Sequence, residues 1–303
     1  MRGAPLLHRF LLVVALVGCT DAGTDPGTPP GTSPPYKCDP WCSTVSLPFD
    51  ALRLADIPTY DGSGQTVHPD VVYLPDGFGP DGQTHWLGIT PYPGGDAHFE
   101  NPSVYASMNA LYMDAPRGLE NPLVIPDTME EDLKSASPPP FPDEAGQRLA
   151  QTDRSGYVGH FSDPDIVWND GLYLYYRYST DSDFLFRISS RDGVEWSQAE
   201  LVLRGPYASL LSPAVVVEND WQMWSVDARD GGCRATMTTV SHRRSQDGVR
   251  WSDATSVELS LPGHVVWHLD VQWMALRREY WTLVAAWEEG ASCGATDVFF
   301  GWS

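Results

Sequence analysis

Basic residues are scarce. Lysine and arginine number 19 against 40 aspartates and glutamates, giving a formal charge of −21. Without a positive patch to neutralise phosphates, nucleic acid and anionic membrane surfaces are poor partners for this chain. Charged residues of both signs amount to only 19%. No phosphate loop, dinucleotide fingerprint or Ser-His-Asp order occurs, and no Cys-x-x-Cys pair or adjacent histidine cluster offers a zinc site. What the chain does have is 12% aromatic residues, 27 Gly and 26 Pro in 303 residues. That profile suits many short strands joined by tight turns, in one large all-β domain or two smaller ones.

The N-terminus reads as export machinery rather than fold. Arg2 and Arg9 precede the apolar run "FLLVVALVG", which is too short to span a bilayer and has the character of a secretory h-region. It ends in "LVGC", which resembles a bacterial lipobox. The resemblance implies cleavage after residue 18, acylation of Cys19, and a protein lipid-anchored to the cell envelope, at the outer membrane. Residues 19–45, rich in Pro, Gly and Thr, have little to bury and form a tether. Residues 46–303 form the folded domain. Cys38, Cys42, Cys233 and Cys293 remain, and an even number in an exported chain argues for disulfides.

Four segments say nearly the same thing: "HPDVVYL" from His68, "DPDIVWN" from Asp163, "SPAVVVE" from Ser212 and "HLDVQWM" from His268. Each leads through a turn into an aromatic strand, as in "LYLYYR" and "WQMWSV". Two of the repeats then reach matching turns, "SRDGVEWS" and "SQDGVRWS", with a worn copy, "SMNALYM", in the first. Asp-Gly suits a tight turn because glycine tolerates positive φ, so these turns are read as structural. The third motif positions, Asp70, Asp165, Ala214 and Asp270, are 95, 49 and 56 residues apart. A unit near 50 residues with about four strands is the signature of a β-propeller. The long first step holds an inserted loop, about residues 120–157. Cys233 and Cys293 both follow the second strand of their repeats, so a bridge between neighbouring blades is expected, with Cys38 and Cys42 pairing locally. The fourth repeat lacks an outer strand, and the segment before His68 is expected to pack against that last blade.

The segments "HWLGITPYPGGDAHFENPSVYAS", "SDPDIVWNDGLYLYYR", "LLSPAVVV" and "VVWHLDVQW" resemble the five-bladed propeller glycosidases of arabinanase, xylosidase and levansucrase type, over about residues 55–303. The resemblance implies an all-β propeller, a carbohydrate substrate, and carboxylates from the first three blades at a central pocket. Glycoside cleavage needs an acid to protonate the leaving oxygen and a carboxylate to attack or activate water. Asp163 matches the second-blade aspartate. The first blade offers His68 and Asp70, while the third offers Ser212 and Ala214 and no acid.

Asp70 or Asp163 is the candidate base and Glu100, in "FENPS", the candidate acid. His68, Asp165, His268, Asp270 and Trp168 are candidate substrate contacts. Alternation places His68 with Asp70, and Asp163 with Asp165, on one side of their strands, so the set should face one shared pocket. The competing reading is that these side chains cap blade starts by bonding backbone N–H groups. No metal or other cofactor is assigned, although Ca²⁺ among axial carboxylates is compatible with the pattern. The protein is expected to be a monomer that either hydrolyses a glycan or, lacking the third-blade acid, binds a glycan or protein partner.

Overall fold

Short β-branched runs that turn into aromatic strands can only bury both faces by stacking as sheets, and this is how the chain is arranged. The computed structural model describes residues 57–124, 159–259 and 261–303. The compact unit to which they belong extends over Asp56–Ser303. The signal, Cys19, the Cys38–Cys42 pair and most of the inserted loop lie outside the described residues.

Four antiparallel meanders follow one another. The first contains β1 (Thr66–Phe78), β2 (Gln83–Pro91) and β3 (Ser103–Ser107). The second has β4 (His160–Trp168), β5 (Leu172–Ser179), β6 (Ser182–Ser190) and β7 (Glu200–Pro206). The third has β8 (Leu211–Val217), β9 (Trp221–Asp227), β10 (Thr239–Ser245) and β11 (Thr255–Val257). The fourth has β12 (His264–Met274), β13 (Glu279–Glu288) and β14 (Thr296–Trp302). These are blades of a β-propeller, with the first and last three-stranded among the described residues. Each repeat contributes its opening motif to the innermost strand.

The core is divided into layers between blades. Trp86 and Val104 of the first meet Phe161, Ile166, Leu174 and Tyr176 of the second. Tyr175 and Leu185 of the second meet Val215, Trp221 and Met223 of the third. Leu211 and Val226 of the third meet Val265, Leu269 and Trp287 of the fourth. The far face of the fourth blade leaves Leu283, Val298, Phe300 and Trp302 exposed.

The two Asp-Gly turns fasten the second blade to the first and the third to the second. Asp192 Oδ1 accepts the N–H groups of Val194 and Glu195, and Asp247 Oδ1 those of Val249 and Arg250. A Cβ on Gly193 would fall 2.2 Å from the Trp86 ring, and one on Gly248 would fall 2.5 Å from the Tyr175 hydroxyl. At φ of +78° and +71°, glycine alone fits both the backbone and the close approach. The worn copy keeps the device: Asn109 Oδ1 accepts from Leu111 and Tyr112, with Ala110 at φ +60° in the glycine position.

Cys233 and Cys293 form the expected bridge between third and fourth blades, with Cα atoms 4.9 Å apart. Of the segment expected to pack against the last blade, residues 43–56 lie outside the described residues, and the described part lies against the first blade. Ile57 packs on Leu87, Ile89, Tyr105 and Met113, and the Tyr60 hydroxyl donates to the Phe99 carbonyl. The face those residues present is apolar, so the chain covers the sheet it is about to enter.

Candidate active site

The first residue of three of the four opening motifs departs from strand geometry. His68, Asp163 and Ser212 have φ of +52°, +52° and +45°, each directly before a proline. Left-handed backbone is uncommon for such residues, and strain of this kind collects at functional sites. Strand pairing is interrupted at each point: between Val67 and Asp70, Ser162 and Asp165, and Leu211 and Ala214. In the fourth blade Leu269 replaces the proline and the irregularity falls earlier, between Val266 and His268. The interruption corrects the expectation from alternation. First and third motif residues do not share one task.

The third-position residues hold blades together. Asp70 Oδ2 accepts the Ile166 N–H of the second blade at 2.6 Å. Asp165 accepts the Val215 N–H of the third blade on both oxygens, at 3.1 and 3.2 Å. Gln272 of the fourth blade reaches back to Asp70 Oδ1 at 3.4 Å. Oxygens of Asp70, Asp165 and Asp270 lie within 4.8 Å of one another. Burial first, and then neighbouring acid charge, keeps Asp70 and Asp165 well above the usual carboxylate range, while burial pushes Asp270 up to about 6. Asp70, tied to the Ile166 N–H of the second blade, stands with Asp165 and Asp270 rather than with the histidines. Trp168 also leaves the site. At the far end of β4 it packs edge-on against Phe78, with ring centroids 4.8 Å apart.

The first-position residues converge separately. His68 Nε2 lies 3.2 Å from His268 Nε2 and 3.4 Å from Asp163 Oδ1. Asp163 is fully buried, but the two imidazoles keep 19% and 22% of their side-chain surface exposed, so the cluster is reachable. Arg177 Nε donates to Asp163 Oδ2 at 2.7 Å, and Ser162 Oγ donates to the same oxygen at 3.0 Å. Oδ1 accepts no hydrogen bond and faces the two rings. Asp183 anchors the other end of Arg177 at 3.1 Å, while its second oxygen accepts the Leu210 N–H. Ser212 Oγ lies within hydrogen-bond reach of His268 Nδ1.

Burial works against ionisation of Asp163, but His68 when protonated and the permanent charge of Arg177 outweigh it and hold the carboxyl below its usual range. Burial lowers His68, and brings His268 down to about 3, so both rings are neutral at pH 7 and present lone pairs. Arg177 is then the permanent cation beside Asp163. Glu100 approaches from the loop between β2 and β3, its Oε1 3.9 Å from His68 Nδ1 and its Oε2 3.7 Å from His160 Nε2. Asn101 fixes that loop by donating to the Tyr60 hydroxyl at 2.8 Å. Burial and the Asp163 charge raise Glu100 well above the ordinary glutamate range. A buried carboxyl with a raised affinity for protons, beside partly exposed imidazoles, is a candidate for proton transfer.

The donor set of two neutral imidazoles and one oriented carboxylate fits a divalent cation. Ligand atoms about 2.1 Å from a tetrahedral metal stand about 3.4 Å apart, close to the two separations found here. Sequence reasoning named His68, Asp163, His268 and Glu100 but missed His160, Arg177, Asp183 and the role of Ser212. Arg177 had a signal, since it is the one charge inside the aromatic strand "LYLYYRYS".

No protein-family model matches the chain. A curated relative is the A type blood N-acetyl-alpha-D-galactosamine deacetylase of Flavonifractor plautii, 24% identical over 278 residues. The match takes in 74% of this chain, which spans about one third of the relative's length (32%). A solved N-acetylgalactosamine deacetylase from F. plautii, in complex with blood group B trisaccharide, superposes with a TM-score of 0.65. It is 22% identical, with 82% of this chain and 70% of that chain covered. The catalytic domain of the Coprinopsis cinerea GH62 alpha-L-arabinofuranosidase superposes at 0.50 and 11% identity, covering 78% and 72%. These likenesses place the chain among β-propeller folds.

Proposed function

We propose that this protein is a carbohydrate-active propeller enzyme that removes acetyl groups from N-acetylated sugars, using a divalent cation held by His68, Asp163 and His268. The observation that carries the reading is the triangle of donors from His68, His268 and Asp163: His68 Nε2 lies 3.2 Å from His268 Nε2 and 3.4 Å from Asp163 Oδ1, and one ligand atom of each residue lies within 4.8 Å of the others. Bound there, the cation would supply Lewis-acid polarisation of the amide carbonyl and a lowered pKa for water. Glu100 is the acid–base residue: it takes a proton from the attacking water and returns it to the departing sugar amine. Water and amide become acetate and amine, with no other reactant. Arg177 keeps Asp163 ionised and turned inward.

Glycoside cleavage is favoured less. It requires two carboxyl groups on either side of the scissile bond. Here Ser212 occupies the third-blade place, and Asp163 is enclosed by imidazoles. The mixed nitrogen–oxygen set suits a borderline cation such as zinc, whereas Ca²⁺ would prefer the oxygen-only trio of Asp70, Asp165 and Asp270. The lipobox-like "LVGC" supports export, acylation at Cys19 and display at the cell envelope, with residues 19–45 as tether.

The test is to incubate the purified protein with N-acetylated oligosaccharides and measure released acetate and new reducing ends separately. Acetate should appear, vanish with chelator, return with Zn²⁺, and fall at least 100-fold in Asp163→Asn. Reducing ends without acetate would overturn deacetylation in favour of glycoside hydrolysis. Glycan binding with neither product would establish the non-catalytic reading.

A further inference from the structure

Ser212 occupies the third-blade position where propeller glycosidases place an acid, and its side chain is directed at a histidine of the fourth blade. His268 presents Nε2 to His68 and Nδ1 to two rival acceptors. Ser212 Oγ lies on one side, and Asp163 Oδ1, at 3.3 Å, on the other. A neutral imidazole carries one proton. If Nδ1–H bonds Asp163 Oδ1, the carboxylate atom that completes the triangle is consumed. If the proton sits on Nε2, the lone pair facing His68 is lost. Only a proton on Nδ1 directed at another acceptor leaves Nε2 and Oδ1 both open. Among the described residues, Ser212 Oγ is placed to be that acceptor.

We infer that Ser212 is a positioning residue that fixes His268 as its Nδ1–H tautomer, keeping both His268 Nε2 and Asp163 Oδ1 available to a divalent cation. Ser212 sits at the break in the β8–β9 pairing with a left-handed φ of +45°, and its Oγ reaches His268 of the next blade. The third blade has exchanged a proton-transfer group for one that sets ligand geometry. Removing such an outer partner of a metal-binding histidine typically weakens metal affinity 10–100-fold.

This inference rests on the metal reading above, and the experiment separates the two. Zn²⁺ binding by the exported chain is measured by competition titration for the natural protein, Ser212→Gly and Ser212→Asn. Glycine removes the hydroxyl while tolerating positive φ, so the variant is expected to fold. Asparagine also tolerates that backbone and returns an acceptor oxygen. In parallel, ¹⁵N shifts of the metal-free protein report which nitrogen of His268 carries the proton. The expected result is a 10–100-fold weaker Zn²⁺ affinity in Ser212→Gly, with loss of the single Nδ1–H signature, and recovery of both in Ser212→Asn. Natural affinity and an unchanged His268 signature in Ser212→Gly would overturn the inference while leaving the metal site standing. Failure of the natural protein to bind Zn²⁺ would overturn both. A Ser212→Gly variant with altered melting but natural affinity would also count against the inference.

Discussion

Arg177→Met removes a buried charge while approximately keeping volume, and its cost can be worked from the contacts. The guanidinium is 7% exposed and lies 2.7 Å from Asp163 and 3.1 Å from Asp183, both carboxylates fully buried. Breaking one buried ion pair by removing a partner costs about 3–5 kcal/mol. Two carboxylates are stranded here, but each keeps other donors: Ser162 for Asp163, Ser179 and the Leu210 N–H for Asp183. The loss should therefore be about 5 kcal/mol rather than twice the single-pair figure. In a domain of this size each kcal/mol moves the melting temperature by about 2–4 °C, so the variant should melt about 10–20 °C lower. Thermal unfolding followed by circular dichroism at pH 7 in chelator measures this without any compensating cation. The deficit should shrink as pH falls, because Asp163, no longer held ionised by Arg177, can then take up a proton. A triple variant that also carries Asp163→Asn and Asp183→Asn should recover much of the loss, because it leaves no unpaired charge. A drop below about 4 °C at pH 7, or no recovery in the triple variant, would refute the picture of one cation holding two buried anions.

Two further outcomes follow from the inter-blade fastenings. Cys293→Ser opens a cross-link between residues 60 apart, which loop-closure entropy values at about 4 kcal/mol, so the oxidised protein should lose a comparable amount in urea unfolding while reduced samples of both proteins coincide. Asp247 is held below the usual carboxylate range by the N–H groups of Arg250 and Val249. Its contribution is therefore fully present above about pH 4 and is lost as pH falls through its depressed folded value. Asp247→Ala should cost about 1 kcal/mol at pH 7, as for other lost caps, and the gap from the natural protein should close in strongly acid solution. A gap that widens on acidification would contradict this sign.

Local chemistry was legible from the residues because local rules decide it. The Ser-x-Asp-Gly turns depend on a carboxylate two or three residues from the amides it accepts, and on a glycine at positive φ. Period-two runs and their recurrence were enough to count four blades, and the matched heights of Cys233 and Cys293 were enough to pair them. The site was legible only as a list of candidates. His68 and His268 stand 200 residues apart and meet because the first and last blades of the ring both reach the axis. No alternation rule separates Asp163, turned inward by left-handed backbone and claimed by Arg177, from Asp165, turned to the amide of the next blade. Their sequence environments are nearly the same. What differs is which neighbour's donor lies opposite, and that is set by how the blades stack around the axis. The same stacking gave Ser212 a partner in His268, so the absence of an acid there became informative only once the fourth blade was in place.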